Sequence, residues 1–130
     1  MTYHTIIIVG RLGRDPELRF SPTGQAICNL SIATDHSYTN KQGDKVSQVT
    51  WFRVTVFNTA AENANKYLSK GKMVLVEGRM NPGESGSPRV WTAQDGTQKA
   101  SYEVNAQVVR YLSGRNEQGG TVQDDEFIDF

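Results

Sequence analysis

Four aromatic side chains, Tyr38, Trp51, Phe57 and Trp91, fall outside any pattern that would bury them. The stretch Thr50–Phe57, TWFRVTVF, shows the problem most clearly. Alternate residues of a strand point to opposite faces. Phe52, Val54 and Val56 then make an apolar core face, while Trp51, Arg53, Thr55 and Phe57 make the other. An aromatic on a strand ordinarily belongs to the core, but Phe52 already holds that parity. Two aromatics flanking a guanidinium on an outward face suit stacking against flat, anionic ligands. Unpaired bases offer such surfaces, and aromatic platforms in a basic groove hold them without reading sequence. Tyr38, in a polar segment, and Trp91, in a long excursion, extend the set. Arg11, Arg53, Lys70, Lys72, Arg79 and Arg89 are the cations available to phosphates.

No catalytic constellation competes with this reading. The chain has two histidines, His4 and His36, and a single cysteine, with no CxxC, HExxH or phosphate-loop spacing. A zinc site lacks ligands, so neither an enzyme nor a resident cofactor or metal is expected. Gly10-Arg11-Leu12-Gly13 lacks the third glycine and following helix of a dinucleotide loop and reads as a turn. Asp124, Asp125 and Glu126 have no rigid element to hold a hard cation.

The elements that must position the aromatics are mostly strands. Residues 4–12 (HTIIIVGRL) are rich in β-branched side chains. Residues 25–34 (QAICNLSIAT) alternate, with Ala26, Cys28, Leu30 and Ile32 on one face, after the turn signal Ser21-Pro22-Thr23-Gly24. Residues 35–45 are polar and read as a loop carrying Tyr38, and a third strand covers 46–57. Thr59-Ala60-Ala61-Glu62 fits a capping box at the start of a helix. Ala60, Ala64, Tyr67 and Leu68 follow at helical spacing, and Gly71 stands where a C-terminal cap is expected. A fourth strand covers 72–80, and residues 81–98 form an excursion whose tip is Asp95-Gly96. Residues 99–112 make the fifth strand. Five strands with one short helix between the third and fourth is the order of the OB-fold, a small all-β Greek-key barrel. Its long loops, between strands 1 and 2 and between strands 4 and 5, fall where that fold grips oligonucleotides.

Composition agrees with one such domain and an appended tail. The 130 residues have no formal net charge, yet residues 1–114 hold 13 Lys+Arg against 9 Asp+Glu. Residues 115–130 hold one Arg against five acids. A basic body suits an anionic partner. The lone Cys28 excludes an internal disulfide and fits a reducing compartment. Its parity with Leu30 and Ile32 makes it a packing residue. No apolar run approaches a membrane span, and the first residues show neither signal- nor transit-peptide patterning. A cytoplasmic protein is expected. From Ser113 the core pattern gives way to Gly, Gln, Asn and acids, the composition of a disordered linker. The boundaries are therefore 1–112 for the barrel and 113–130 for linker and tip. The tip, Asp124-Asp125-Glu126-Phe127-Ile128-Asp129-Phe130, exposes three apolar side chains that a mere solubility tail does not need. It suits a docking peptide whose Phe130 enters an apolar pocket while basic residues on the partner hold the acids.

Together these motifs closely resemble the bacterial single-stranded DNA-binding protein family. IIIVGRLGRDPELRFSPTGQAICNLSIAT (6–34) looks like that family's first two strands, with a Gly-x-Leu-Gly-x-Asp-Pro-Glu signature at Gly10–Glu17. TWFRVTVF, ENANKYLSKGKMVLVEGRM (62–80) and VWTAQDGTQKASYEV (90–104) resemble its third strand, helix, fourth strand, hairpin and fifth strand. The resemblance implies an OB-fold that binds single-stranded DNA independently of sequence in replication, recombination and repair. It places Tyr38, Trp51, Phe57 and Trp91 on the family's stacking positions, and Arg53 and Lys70 on basic positions of the DNA path. It also implies a homotetramer built through the N-terminal strands, and replication and repair proteins recruited by the tip. Five features depart from the family pattern: Tyr38 stands where a Trp is common, Asn58-Thr59 lacks a lysine often found just after the Phe, residues 81–88 (NPGESGSP) look like an insertion, the linker is short, and Asp129 stands at a proline position. A phage- or plasmid-encoded member is compatible with that trimming. The alternatives are a primosome-type OB accessory protein, an RNA-binding OB module and an OB-fold nuclease.

Overall fold

In the computed structural model, residues 1–112 are described. The linker and tip, 113–130, lie outside the described residues. The element order is β1 (Ile6–Leu12), β2 (Glu17–Phe20), β3 (Ala26–Thr39), β4 (Lys45–Phe57), α1 (Asn58–Tyr67), β5 (Met73–Met80), β6 (Val90–Thr92), β7 (Gln98–Ala100) and β8 (Tyr102–Tyr111). Five of these strands close on themselves in the order β1-β3-β4-β8-β5, returning to β1. Closure needs two seams. The β1–β3 seam pairs Arg11 with Ala33 and Leu12 with Ile32. The β4–β8 seam is parallel, matching Phe52 to Tyr102 and Thr55 to Asn105. Closing a sheet leaves an inner and an outer face on every strand. The inner parity holds Leu30, Ile32, Val54, Val56, Val74, Val76 and Val104, each at most 2% exposed. This is the five-stranded barrel with one helix that the strand order predicts.

The helix seals one end. Ala61, Ala64 and Leu68 recur at helical spacing and are buried in the core cluster. The expected apolar stripe is shifted by one residue, since Ala60 is exposed and Tyr67 lies mostly in solvent. The predicted capping box does not form. Phe57, the last residue of β4, is the N-cap with extended backbone, and no side chain caps the helix. The strand passes into the helix through Asn58, whose φ of 63° makes the turn, leaving Thr59 inside the first helical turn and not before it. Gly71 does have a left-handed φ of 91°, but it shapes the turn into β5, donating its N–H to the Leu12 carbonyl at 2.8 Å.

Four further expectations are corrected. Residues 35–39 are strand and not loop: β3 and β4 continue as a two-stranded arm from Asp35↔Val49 to Thr39↔Lys45. The arm projects beyond the barrel, so neither face needs an apolar row and no alternation marks it. Its turn is organised by Asn40, whose Oδ1 accepts the N–H groups of Gln42 and Asp44 at 3.0 and 2.9 Å. Gly10 lies within β1 and not in a turn, at a seam where its missing side chain matters. Residues 17–20, unassigned from sequence, form an extra strand against β3, pairing Glu17 to Asn29 and Arg19 to Ile27. Residues 99–112 divide between β7 and β8, because Gln98–Ala100 pairs with β6 as a separate hairpin. That hairpin turns at Asp95-Gly96 as expected, with the Thr97 N–H donating to Asp95 Oδ1 at 2.9 Å and the Ala93 N–H donating to the Thr97 carbonyl at 2.7 Å.

Candidate nucleic-acid interface

Register partners across a ladder share a face, so the outer surface of the barrel can be read row by row. Arg19, Ile27 and Phe57 form one row. The next holds Glu17, Asn29, Thr55, Asn105 and Arg79, and Thr55 Oγ1 donates to Asn29 Oδ1 at 3.3 Å. Ser31, Arg53 and Glu103 follow, then Arg11, Ala33 and Trp51. Two residues of strand advance about 6.6 Å. Phe57 and Trp51 thus stand roughly 20 Å apart along β4, with a polar floor between them.

The floor is a groove of about 350 Å³ lined by Arg14, Arg19, Arg53, Arg89, Phe57 and the polar row, Glu17 and Glu103 included. Two further hollows adjoin it at Arg53. One reaches Trp51 and Tyr102. The other runs under the β6–β7 hairpin to Trp91. Among the described residues, none of Arg14, Arg19, Arg53 and Arg89 forms an ion pair within the protein. Each guanidinium therefore keeps its fork of donors for a ligand. Four arginines against two glutamates make the groove attractive to anions, and partial enclosure strengthens that attraction.

Exposure sorts the aromatics. Trp51 is 52% exposed and Trp91 42% exposed, whereas Phe57 is half-buried. Phe52, on the inner parity, packs against the core and tilts over Tyr102 with ring centroids 5.6 Å apart. The six-membered part of the Trp51 indole lies over the backbone of Gly13, where a Cβ would overlap Cζ3 and Cη2. That glycine is the ledge on which the exposed ring rests.

The sequence-predicted residues divide into two groups. Trp51, Arg53, Phe57, Arg89 and Trp91 meet in the three connected hollows. The remaining five line none of them. Tyr38 is exposed on the β3 arm, opposite Val46, and stacks on His36 at 5.9 Å. Its even parity puts it on the ribbon face opposite Trp51. Arg11 shares a row with Trp51, with only Ala33 between them, and its Nη1 donates to the Gly71 carbonyl at 2.9 Å. Lys70 and Lys72 flank that glycine, and the Lys70 N–H donates to Asp15 Oδ1 at 2.8 Å. Arg79 is exposed at the far end of the polar row. Sequence reasoning missed Arg14, Arg19 and Glu103. Arg19 carried a usable signal, since Glu17-Leu18-Arg19-Phe20 alternates like a strand. Arg14 carried none. Cys28 is fully buried, and burial pushes its thiol pKa up, away from nucleophilic chemistry.

The model of the single-strand binding protein family matches residues 3–112. The chain belongs to that family. It is 38% identical over 120 residues to single-stranded DNA-binding proteins of Neisseria meningitidis, of serogroup A and of serogroup B. The alignment covers 92% of this chain and 66% of each relative, so the chain spans about two thirds of their length. Among solved structures, it resembles a deletion mutant of the single-stranded DNA binding protein from Thermus aquaticus. That match has a TM-score of 0.66 and 29% identity, over 86% of this chain and 51% of that one. It also shares its fold with a Plasmodium falciparum SSB in complex with ssDNA, at a TM-score of 0.71 and 22% identity. That likeness covers 87% of this chain and 97% of the other.

Proposed function

We propose that the protein binds and protects single-stranded DNA during replication, recombination and repair. One observation carries the proposal: four arginines without ion-pair partners among the described residues line a groove that connects Trp51, Phe57 and Trp91. Phosphates meet the guanidiniums and bases stack on the rings. Duplex DNA hides its base faces, so binding of the unpaired form alone melts weak hairpins by mass action. Tyr38, Arg11, Lys70, Lys72 and Arg79 extend the path beyond the groove, with Tyr38 requiring the strand to pass round the β3–β4 arm. No described helix is long and apolar enough to cross a membrane, and the protein acts in the cytoplasm on this reading.

Both tryptophans of the chain line the connected hollows, so intrinsic fluorescence reports occupancy directly. Titration with oligo-dT should quench it. The log–log dependence of affinity on salt should have a slope of about −0.7 per phosphate neutralised. A salt-independent affinity would remove the arginines from the site. Tighter binding of a matched RNA oligomer would favour the RNA-binding alternative.

Self-association follows from β1. Ile8 is 3% exposed and serves the core, while Ile7 at 60% and Val9 at 39% form an apolar stripe on the other face. A second copy covering that stripe would begin the homotetramer. Light scattering should give a tetramer at micromolar concentration, and Ile7→Lys with Val9→Lys should lower the mass. A wild-type monomer would defeat the assignment.

The tip recruits replication and repair proteins, by the chemistry of its residues. Deleting 124–130 should leave oligo-dT affinity equal or slightly raised, since the acids are like-signed to DNA, and should abolish capture of such partners from a lysate. Equal capture by truncated and full-length protein would return the tail to a solubility role.

A further inference from the structure

We propose that the hollow under the β6–β7 hairpin is a subsite that selects guanine, with Trp91 as its stacking platform and Glu103 as its specificity determinant. The inference rests on the single-strand reading above and deepens it. The hollow measures about 660 Å³, room for one nucleotide, and brings together Trp91, Arg53, Arg89 and Glu103. Its outer wall is Gly83-Glu84-Ser85. That wall is held by a tight turn in which Gly83 N–H donates to the Ser87 carbonyl at 2.8 Å and Gly86 takes a φ of 83°. Asn81 N–H donates to the Glu103 carbonyl at 2.7 Å, which ties the start of this segment to the floor.

Glu103 is the unexpected member. A carboxylate among arginines that bind phosphate lowers affinity for the backbone unless it does something else. Its register partner is Arg53, yet no ion pair joins Glu103 to Arg53 or Arg89 among the described residues. Its side-chain partner is Ser101, whose Oγ donates to Oε2 at 3.3 Å. That bond braces the half-buried carboxylate and leaves acceptor capacity facing the hollow.

An ionised carboxylate only accepts hydrogen bonds, so it selects a base by its donors. Guanine presents N1–H and the 2-amino group side by side, a bidentate match for two carboxylate oxygens. Thymine offers N3–H between two carbonyls that the carboxylate repels. Adenine and cytosine each offer one amino group beside a ring-nitrogen acceptor. The opposite edge of guanine carries O6 and N7, both acceptors, which suit a guanidinium such as Arg53 or Arg89. Guanine alone satisfies the acid on one edge and the arginine on the other while its face lies on Trp91. Selection is confined to one nucleotide, and stacking elsewhere accepts every base.

The test is fluorescence titration, at fixed salt, with dT oligomers of about 16 nucleotides carrying one dG at successive positions. At the best position wild-type protein should bind at least about fivefold more tightly than to the all-dT oligomer. Deoxyinosine there, which lacks the 2-amino group, should lose part of the gain. Glu103→Gln should bind all-dT oligomers more tightly, because one negative charge leaves the groove, and its dG advantage should fall below about twofold. Wild-type affinities equal for dG and dT at every position would overturn the subsite alone, as would a full dG advantage retained in Glu103→Gln. The inosine comparison uses unaltered protein, so it decides the point even if the variant does not fold. Failure of wild-type protein to bind any oligomer would overturn the single-strand function, and the subsite with it.

Discussion

Trp51→Ala should weaken oligo-dT binding by about 1–3 kcal/mol, the worth of one stacked base, while the melting temperature moves little. The asymmetry follows from where the ring sits. Trp51 is 52% exposed and is absent from the core cluster, so its removal opens no cavity. What is lost is a flat surface beside Arg53, at the mouth of a hollow that opens onto the arginine groove. Gly13→Ala provides a second and gentler handle on the same ring. Its new Cβ overlaps the far edge of the indole, an exposed and rotatable group that can swing away at small cost to the fold. Affinity should therefore fall in Gly13→Ala with every DNA-contacting side chain still present. Both variants are read by titration beside thermal denaturation. A Trp51→Ala protein that fails to fold would place the ring in the core. Unchanged affinity in a folded one would remove it from the site.

Gly10→Ala should do the reverse, destabilising the barrel by about 3 kcal/mol, or roughly 10 °C in melting temperature. Gly10 sits in β1 one residue before the β1–β3 seam. A Cβ there overlaps the Ala33 carbonyl oxygen and comes within 2.8 Å of Ile32 Cγ2. Ile32 is fully buried, and a carbonyl of the paired strand cannot rotate aside. Relief requires opening the seam that closes the sheet. The seam also aligns Arg11, Ala33 and Trp51, so weaker oligo-dT binding should accompany the loss of stability. A Gly10→Ala protein as stable as wild type would show that β1 and β3 approach less closely than described.

The two glycines show where local pattern stops carrying information. In sequence, Gly10-Arg11-Leu12-Gly13 is a short run with two flexible residues, and a turn is the economical reading. Only the closed barrel distinguishes them, because Ala33 and Trp51 are brought against them by residues distant in the chain. The core was legible for the opposite reason. Cys28, Leu30 and Ile32, like Val54 and Val56, alternate strictly, and period-2 burial is a property of each strand by itself. The parity argument at Trp51 and Phe57 has the same basis, and both rings lie on the outer face.

What the chain determined locally was therefore the five barrel strands, the helix that follows the third, and the face that Trp51 and Phe57 occupy. Strand parity and helical period act over a few residues, so sequence neighbours suffice. The tertiary structure alone decided which cations line the groove. Arg14 and Arg19 enter the groove because β2 pairs with β3. Arg11, Lys70 and Lys72 gather instead around Gly71. Glu103 meets Arg53 and Trp91 only because β8 joins β4 in parallel and residues 83–85 line the same hollow. A charge acts through its distance to other charges, and those distances are set by strand pairings between segments tens of residues apart, which no local periodicity records.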